Sequence, residues 1–356
     1  MAKNGKHVHV VGTGTIGEPL LGLLCDFGQD LGIETISFNK KQALTLDRSK
    51  VKALIKRGAL LAADREMIPK FEELGMKVSA EYEESLDKAD VVIDCTPMGN
   101  SNKENNYLRH EKDTAGFVAQ GSEFGFGKPY ARGINDEALD AAKDKYIQVV
   151  SCNTHNLAVL IDTLALAEKD PGNLLEARFV LIRRASDISQ DSKFVPAPSA
   201  GKHDDAEFGT HHARDAYHLF KTLGYELPLF SSAMKLNTQY MHAMWFSVRL
   251  REKISLPQVI ARLREDQRVA LTEKRTSNSI FSFGRDQGHF GRILNQTVVS
   301  IPTLHVRDDH EIVGFTFTPQ DGNSLLSSVA IAAWFLYPED YVERLQPLRA
   351  YFFEEI

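Results

Sequence analysis

The chain has 356 residues but few cysteines and no excess of positive charge. Its three cysteines are an odd number and too few for a disulfide framework, which indicates a reducing compartment. Forty-two lysines and arginines against 48 carboxylates leave a net charge of −6, which does not favour nucleic acid or an anionic membrane as a partner. The sequence also lacks an apolar signal-peptide core and any apolar run long enough to cross a bilayer. We expect a cytoplasmic protein without nucleic-acid or membrane partners.

The first part of the chain alternates β-type runs with helical spacing. A helical pattern occupies Glu18–Gly28, and the β-type runs lie at His7–Val11, Glu34–Phe38, Val91–Ile93, Gly116–Gln120 and Tyr146–Val150. Such alternation is typical of a parallel sheet that is covered on both faces by helices.

The pattern changes after about residue 170. Long β-type runs at Leu175–Ile182 and Thr238–Leu250 enclose a polar stretch, Asp187–His212, which we expect to be a long functional loop. A helical stripe returns at residue 323. The predicted fold is α/β, with a Rossmann-type dinucleotide-binding domain at 1–151 and an α+β catalytic domain with a mixed or antiparallel sheet at 152–322. The C-terminal helix, 323–356, is expected to pack back on the first domain and complete it.

A glycine turn follows the first strand. Gly12 permits a tight turn, Gly14 lets the backbone approach a pyrophosphate, and Gly17 lets the following helix pack closely on the strand. Thr15 and Ile16 complete the turn at the helix N-terminus, whose free N–H groups attract phosphate. The pattern favours dinucleotide binding, although glycine turns of this kind also occur without a ligand.

The end of the second strand carries no carboxylate that could hold a ribose 2′-hydroxyl. Asn39 and Lys40 stand there instead, followed by Lys41. A cation and a neutral donor suit a 2′-phosphate, so we expect NADP as the cofactor, with NAD possible. Alternatively, both lysines are only solvated loop residues.

Cys152 is the candidate nucleophile. It lies between a strand end and a helical pattern at Asn156–Ala167. A helix N-terminus favours the thiolate and supplies amide donors for an oxyanion. Cys25, by contrast, lies in an apolar helix and is expected to be buried and inert, and Cys95 ends a buried strand.

Short motifs in matching order extend over nearly the whole chain. They comprise GTGTIG at Gly12–Gly17, KRG at Lys56–Gly58, DCTPMG at Asp94–Gly99, QGSE at Gln120–Glu123, SCNT at Ser151–Thr154, RRASD at Arg183–Asp187, THHARD at Thr210–Asp215, MHAM at Met241–Met244 and VRDDHEIVGF at Val306–Phe315. On these motifs the chain resembles the archaeal-type (type II) branch of the glyceraldehyde-3-phosphate dehydrogenases.

The resemblance implies a homotetrameric, NADP-dependent, phosphorylating aldehyde dehydrogenase. Its Cys152 thiolate would form a thiohemiacetal with a small aldehyde, hydride would pass to nicotinamide, and inorganic phosphate would release the thioester. His242 would act as the catalytic base. The substrate and phosphate would contact Asn153, Thr154, Arg183, Arg184, His211 and His212. The cofactor would also contact Thr96, Pro97 and Gly121.

The residues themselves leave alternatives open. Alternation along the predicted strand places His242 on an apolar face, where a histidine is usually a hydrogen-bonded core residue. Adjacent bare guanidiniums at Arg183 and Arg184 suit a phosphate, but an interface or surface ion pair is the alternative. The pair His211–His212 could indicate metal, yet no suitably spaced further ligands accompany it, so we predict substrate-loop residues and no metal site.

Several positions depart from the family pattern around the substrate site. His155 replaces a threonine, Phe124 a lysine and Met244 a histidine, and Lys193–Val195 stands near the place of a Lys-Gly-Pro-x-Asn loop. Two other interpretations therefore remain. One is a related semialdehyde dehydrogenase or acyl-phosphate reductase with a different substrate, and the other is a cofactor-binding homologue without catalysis.

Overall fold

The computed structural model describes residues 5–121, 123–167, 169–187, 194–319 and 321–356. The chain divides into two compact units. The first contains Met1–Lys128, Leu139–Val149 and Leu325–Arg349, and the second contains Pro129–Ala138, Val150–Ser324 and Ala350–Ile356.

Strands and helices occupy the following ranges. The strands are β1 (His7–Val11), β2 (Thr35–Asn39), β3 (Leu60–Ala63), β4 (Ala80–Glu81), β5 (Val91–Asp94), β6 (Gly116–Gln120), β7 (Lys128–Tyr130), β8 (Tyr146–Val149), β9 (Leu174–Arg183), β10 (Ser199–Ala200), β11 (Leu229–Lys235), β12 (Ala243–Leu250), β13 (Val269–Thr272), β14 (Thr297–Ser300), β15 (His305–Arg307) and β16 (Glu311–Phe317). The helices are α1 (Gly17–Phe27), α2 (Arg48–Lys56), α3 (Ile68–Glu73), α4 (Tyr82–Lys88), α5 (Gly99–Asn105), α6 (Cys152–Ala165), α7 (His211–Lys221), α8 (Leu256–Glu265), α9 (Ser277–Gln287), α10 (Gly322–Leu336) and α11 (Tyr341–Arg344).

The first unit is built on a doubly wound sheet. Its strand order is β4-β3-β2-β1-β5-β6-β8-β7, and the pairs from β4 across to β8 are parallel. Every residue of β1 is buried, as expected for a central parallel strand covered on both faces. The strand order reverses between β1 and β5, which is where open α/β sheets bind dinucleotides. The predicted Rossmann-type fold is confirmed.

Helix α10 joins this unit from Leu325 onward. A Cβ on Gly116 would lie 2.2 Å from the Phe335 ring, so the absence of a side chain on β6 lets the helix approach. Gln120 at the end of β6 donates from Nε2 to Ser328 Oγ at 2.6 Å. The C-terminal helix therefore packs on the first sheet, as the sequence predicted.

The second unit is an α+β layer with a mixed sheet. Its order is β10-β11-β9-β12-β16-β14-β13, with β15 paired to β16. The pairs β9–β11 and β13–β14 are parallel, and β12 runs antiparallel to both neighbours. Helix α6 is almost wholly buried, and Leu157, Leu160 and Leu164 share one apolar core with Phe179 of β9 and Phe246 of β12. This core holds the first turn of α6 in place.

Three sequence predictions about this unit were wrong in detail. The strand predicted at Thr238–Leu250 begins only at Ala243, so His242 precedes it. The predicted loop Asp187–His212 ends in α7, whose buried face includes His212 and Asp215, and residues 188–193 lie outside the described part. Helix α6 begins at Cys152 itself, four residues before the predicted start.

Over the described ranges, we find no helix that is both long and apolar enough to span a membrane.

Candidate active site

Cys152 is the first residue of α6. Ser151 caps the helix, because its Oγ accepts a hydrogen bond from the Thr154 backbone N–H at 3.2 Å. The Ser151 hydroxyl also lies 2.9 Å from Thr154 Oγ1. The Cys152 side chain remains partly exposed. A helix N-terminus therefore presents the thiol together with its unbonded N–H groups.

The charges around Cys152 do not by themselves yield a thiolate. Burial raises the pKa of this thiol to about 12, and the Asp321 carboxylate raises it further, against the opposing effect of Arg184. Burial also raises the pKa of Cys25, to about 11, and that of Cys95, although all three cysteines are partly exposed. The expectation that Cys25 is buried was therefore wrong, since its side chain is partly exposed. Cys152 differs from the other two in its neighbours rather than in its acidity.

His242 accepts a main-chain hydrogen bond on its ring. The Arg184 N–H donates to His242 Nδ1 at 3.0 Å, and the His242 carbonyl accepts from the Thr318 N–H at 3.0 Å. Burial lowers the pKa of His242 to about 3, and Arg184 and Arg183 lower it further. A neutral imidazole that accepts at Nδ1 carries its proton on Nε2. In this geometry His242 is a hydrogen-bond donor, which differs from the general base that the resemblance implies.

The two arginines after β9 differ in exposure. Arg183 is exposed, whereas Arg184 is 3% exposed. Arg184 Nη2 donates to Asp187 Oδ1 at 2.9 Å, while its buried Nε and Nη1 find no hydrogen-bond partner among the described residues. Buried donors in a folded protein are nearly always satisfied. These two N–H groups therefore indicate a place for an anion.

The adjacent histidines open α7 rather than lying in a loop. His212 is buried, and its Nδ1 lies 3.5 Å from Ser151 Oγ, beside the nucleophile. Burial, His211 and Arg183 all lower the pKa of His212. Burial lowers the pKa of His211 to about 4. Both rings are therefore neutral at pH 7, and Arg183 and Arg184 supply the positive charge of this site.

Asn153 and Thr154 are buried and already bonded within the protein. Asn153 Oδ1 accepts from Thr318 Oγ1 at 3.1 Å. His155 stands where the family pattern has a threonine, and its Nδ1 lies 3.0 Å from the Ser151 carbonyl oxygen. Substrate contact by Asn153 and Thr154 stays a prediction, whereas these bonds give both residues a part in holding the helix start.

Two residues beside Cys152 were missed by the sequence analysis. Asn323 Nδ2 donates to the Cys152 carbonyl at 3.0 Å and to the Gln296 carbonyl at 3.1 Å. Asp321 is buried, has a φ of 67° and lies 3.5 Å, Oδ2 to Nη2, from Arg292. The run Asp-Gly-Asn-Ser before the apolar stripe of α10 is a helix-start signal that could have drawn attention to both.

The glycine turn of the first unit has the shape that a dinucleotide needs. Gly12 has a φ of 89°, and a Cβ there would lie 2.8 Å from Thr96 Cγ2. A Cβ on Gly17 would lie 2.1 Å from the Gly12 carbonyl oxygen, so α1 could not pack so closely on the turn. A Cβ on Gly14 would meet nothing within 4 Å, which leaves open space above the backbone. These residues fit a pyrophosphate, with Thr15 and Ile16 at the helix start.

Lys40 is not a freely solvated lysine. Its Nζ lies 2.7 Å from Asp47 Oδ2, and Lys50 Nζ lies 3.2 Å from Asp47 Oδ1. Lys50 also donates to the Thr13 carbonyl of the glycine turn at 3.0 Å. Asn39 is buried, and its carbonyl accepts from Gly12 N–H at 3.3 Å. One carboxylate thus serves two ammonium groups beside the turn, an arrangement that spacing along the chain did not reveal.

A buried carboxylate orders the loop after β5. Asp94 Oδ1 accepts from the N–H and Oγ1 of Thr96 at 2.8 and 2.6 Å. Asp94 Oδ2 accepts from Asn102 Nδ2 and from the Tyr107 hydroxyl, both at 2.7 Å. The loop holding Thr96 and Pro97 is therefore rigidly placed beside Gly12. Gly121 has a φ of 71°, and a Cβ there would also meet nothing within 4 Å.

Known proteins resemble the chain at moderate identity. A glyceraldehyde-3-phosphate dehydrogenase of Methanobacterium bryantii is 30% identical over 253 residues, which are 67% of this chain and 68% of that enzyme. The chain belongs to the glyceraldehyde-3-phosphate dehydrogenase family, in its archaeal-type branch. The enzyme of the same name from Archaeoglobus fulgidus is 31% identical over 227 residues, which are 61% of this chain and 60% of that enzyme. That from Sulfolobus acidocaldarius is 28% identical over 255 residues, 69% of each chain.

The matched regions cover only part of the length of each relative. The chain spans 60% of the Archaeoglobus enzyme and 56% of a glyceraldehyde-3-phosphate dehydrogenase from Methanobacterium formicicum. No family model matches the chain. Within the described residues, no three His, Cys, Asp or Glu side chains form a group that could hold a metal ion.

Proposed function

We propose that the protein is an NADP-dependent, phosphorylating aldehyde dehydrogenase that resembles glyceraldehyde-3-phosphate dehydrogenase. The observation that carries this proposal is the placement of Cys152 at a helix N-terminus, where it feels the charge of a buried Arg184 that has two N–H groups without a partner in the described ranges. A nucleophile, helix amides and a buried cation together suit attack on an aldehyde whose oxygen becomes negative. Family membership supports the same chemistry.

The residues of this chain suffice for thioester formation. The Cys152 thiol loses its proton to solvent, and the thiolate sulfur bonds to the aldehyde carbon while the carbonyl electron pair moves to oxygen. The α6 amides and the Nε2–H of His242 stabilise that oxyanion. The carbonyl then re-forms as the carbon–hydrogen bond breaks, which leaves a thioester on Cys152, and the departing hydride would need the nicotinamide of a bound NADP as its acceptor. This sequence needs no base at the substrate hydroxyl, in keeping with a His242 that donates.

The nicotinamide ring of a bound NADP would supply the hydride acceptor. The glycine turn would hold its pyrophosphate, and Asn39 with Lys40 would meet its 2′-phosphate. Arg183 and Arg184 would bind the anionic group of the aldehyde or the inorganic phosphate that cleaves the thioester. The proposal includes a cofactor-binding domain formed by 1–151 with 323–356 and a catalytic domain formed by 152–322. It also includes a cytoplasmic location and a homotetramer.

A related aldehyde as substrate is the second candidate. Three family positions are changed here: Met244 is fully buried in the core, Phe124 is 44% exposed, and His155 bonds to the helix cap. Each change removes a charged or hydroxyl-bearing side chain that the family pattern places near its substrate. These differences favour testing semialdehydes and acyl phosphates alongside glyceraldehyde 3-phosphate.

An initial-rate screen tests the proposal. Glyceraldehyde 3-phosphate and unphosphorylated aldehydes of matched length are compared with NADP and NAD, each with and without phosphate or arsenate. We expect reduced cofactor to form with a phosphorylated aldehyde and to require phosphate or arsenate for multiple turnovers. If no aldehyde is oxidised while NADP still binds, the chain is a cofactor-binding homologue without catalysis.

A further inference from the structure

An apolar cavity of about 250 Å³ lies in the second unit. Met241, Ile280, Phe281 and Ile293 form much of its wall. Its volume exceeds the 150 Å³ or so that admits a benzene molecule in an engineered protein cavity. A phenyl ring with a short side chain therefore fits.

Two residues in the left-handed backbone region line this cavity. Five non-glycine residues in the described ranges have a positive φ, and Phe290 (50°) and Asp321 (67°) line the cavity. The Phe290 side chain is 37% exposed, so a ligand that enters the cavity can reach it. Strained conformations persist where the surrounding structure holds them, and they cluster at ligand sites.

Charged side chains accompany the apolar wall. Arg292 and Arg285 line the cavity together with Asp321, so their charges sum to +1. Arg292 Nη1 donates to the Phe290 carbonyl at 2.5 Å, and its Nη2 lies 3.5 Å from Asp321 Oδ2. Arg285 pairs with the neighbouring Asp286 at 2.7 Å on an exposed surface. Arg292 is thus the cation best placed to meet an anionic head group.

The cavity shares residues with the surroundings of the thiol. Met241 precedes His242, and Asp321 is separated by one glycine from Asn323, which bonds to the Cys152 carbonyl. The negative charge of Asp321 raises the pKa of Cys152, beyond the larger effect of burial. Whatever changes the pairing of Asp321 therefore changes the field at the sulfur.

We propose that this cavity is a binding site for a small aromatic carboxylate, whose ring lies among the apolar side chains and whose carboxylate pairs with Arg292. Binding draws Arg292 away from Asp321 and adds a second negative charge nearby. Both effects disfavour the Cys152 thiolate, so an occupied cavity makes the thiol less reactive. Binding itself requires neither the thiol nor dehydrogenase activity, and Cys152 serves only as the reporter.

Phenylacetate is the probe, and thiol labelling reports on the site. The rate of Cys152 alkylation by iodoacetamide is measured by peptide mapping at pH 8.5, with Cys25 as the internal reference. We expect phenylacetate to slow Cys152 labelling at least threefold in a saturable manner, while Cys25 changes little. Acetate tests the head group alone and benzyl alcohol the ring alone, and neither should reproduce the effect at equal concentration.

Matched variants localise the effect. Arg292→Gln should abolish both phenylacetate binding, measured by calorimetry, and the protection of Cys152, whereas Arg285→Gln should retain them. Phe290→Gly, which suits a positive φ, should weaken binding without unfolding and covers the case in which Arg292→Gln does not fold. Absence of phenylacetate binding, equal protection by acetate, or equal losses in Arg285→Gln and Arg292→Gln would overturn the proposal. No aldehyde or NADP is used, so failure of the proposed dehydrogenase function is a separate result.

Discussion

Asp47 is the residue through which cofactor choice can be tested most sharply. Its carboxylate pairs with Lys40 at 2.7 Å and with Lys50 at 3.2 Å. Burial acts to raise the pKa of Asp47, but the two lysines outweigh it, and the pKa lies below the ordinary value. A 2′-phosphate carries a charge of about −1.5 to −2 at pH 7 and would have to share Lys40 with this carboxylate. Replacement by asparagine removes the competing charge and keeps an acceptor for the lysine.

The size of the expected change in NADP affinity follows from the geometry of the ammonium group that the phosphate and Asp47 would share. A phosphate that accepts from Lys40 would lie about 5–6 Å from the Asp47 carboxylate, where two unit charges repel by about 1–3 kcal/mol at an effective dielectric constant of 20–60. The Asp47 and Lys40 side chains are still 19% and 17% exposed, so water keeps the effective dielectric constant near the upper end of this range and the repulsion at about 1 kcal/mol. Since about 1.4 kcal/mol corresponds to a factor of ten, Asp47→Asn should tighten NADP binding about fivefold.

Calorimetric titration with NADP, NAD and adenosine 2′,5′-bisphosphate checks this expectation. Asp47→Asn should tighten both phosphorylated ligands and leave the dissociation constant of NAD nearly unchanged. Lys40→Gln should weaken the same two ligands about tenfold, because a charge-assisted hydrogen bond is worth about 1.5–3 kcal/mol. Lys41→Gln, at the exposed neighbour, is the matched control for charge. Equal changes for NAD and NADP would refute the assignment of a 2′-phosphate site to Lys40.

Three further outcomes are expected. His242→Gln should retain more dehydrogenase activity than His242→Ala, because the glutamine amide can still donate a hydrogen bond. The rate of aldehyde oxidation should rise with pH without an inflection near pH 6.5. An inflection near pH 6.5 that vanishes in His242→Gln would instead show that His242 acts as a base. Arg183→Met should raise KM for a phosphorylated aldehyde about 10- to 100-fold and spare an unphosphorylated one; equal losses would exclude phosphate recognition. The pKa of His9 is lowered to about 3 and that of His155 to about 4, in both cases by burial. Just below pH 6.5 only the unfolded chain protonates these histidines. The free energy of unfolding, measured by urea titration, should therefore fall as pH drops from 6.5 toward 4, by up to about 1.4 kcal/mol per pH unit for each histidine. A free energy of unfolding that stays constant over this range would contradict the burial of both histidines in the neutral form.

Much of the first unit could be predicted because its signals are local. The turn from Gly12 to Gly17 needs particular backbone angles and close packing, and β1 before it is rich in valine and buried throughout. Strand ends after buried runs were placed within about a residue for the same reason. Helix α7 was missed because its buried face includes His212 and Asp215, so the sequence there resembles a polar loop.

The details of the candidate site could not be predicted because they depend on contacts between distant residues. The tautomer of the neutral His242 ring is set by the main-chain N–H of Arg184, 58 residues earlier. The pairing of Lys40 and Lys50 through Asp47 depends on how the first turn of α2 meets the loop after β2. The effect of Asp321 on Cys152 arises from packing at the start of α10. Residue types alone carry none of this information.

Trapping of the covalent intermediate tests the central claim most directly. The protein is mixed with glyceraldehyde 3-phosphate and NADP in the absence of phosphate and arsenate, quenched in acid and digested for mass spectrometry. We expect one acyl group on the peptide that contains Cys152, together with a burst of one reduced cofactor per chain, and neither in Cys152→Ser. A burst or continued turnover in Cys152→Ser, or an acyl group on another residue, would contradict this expectation.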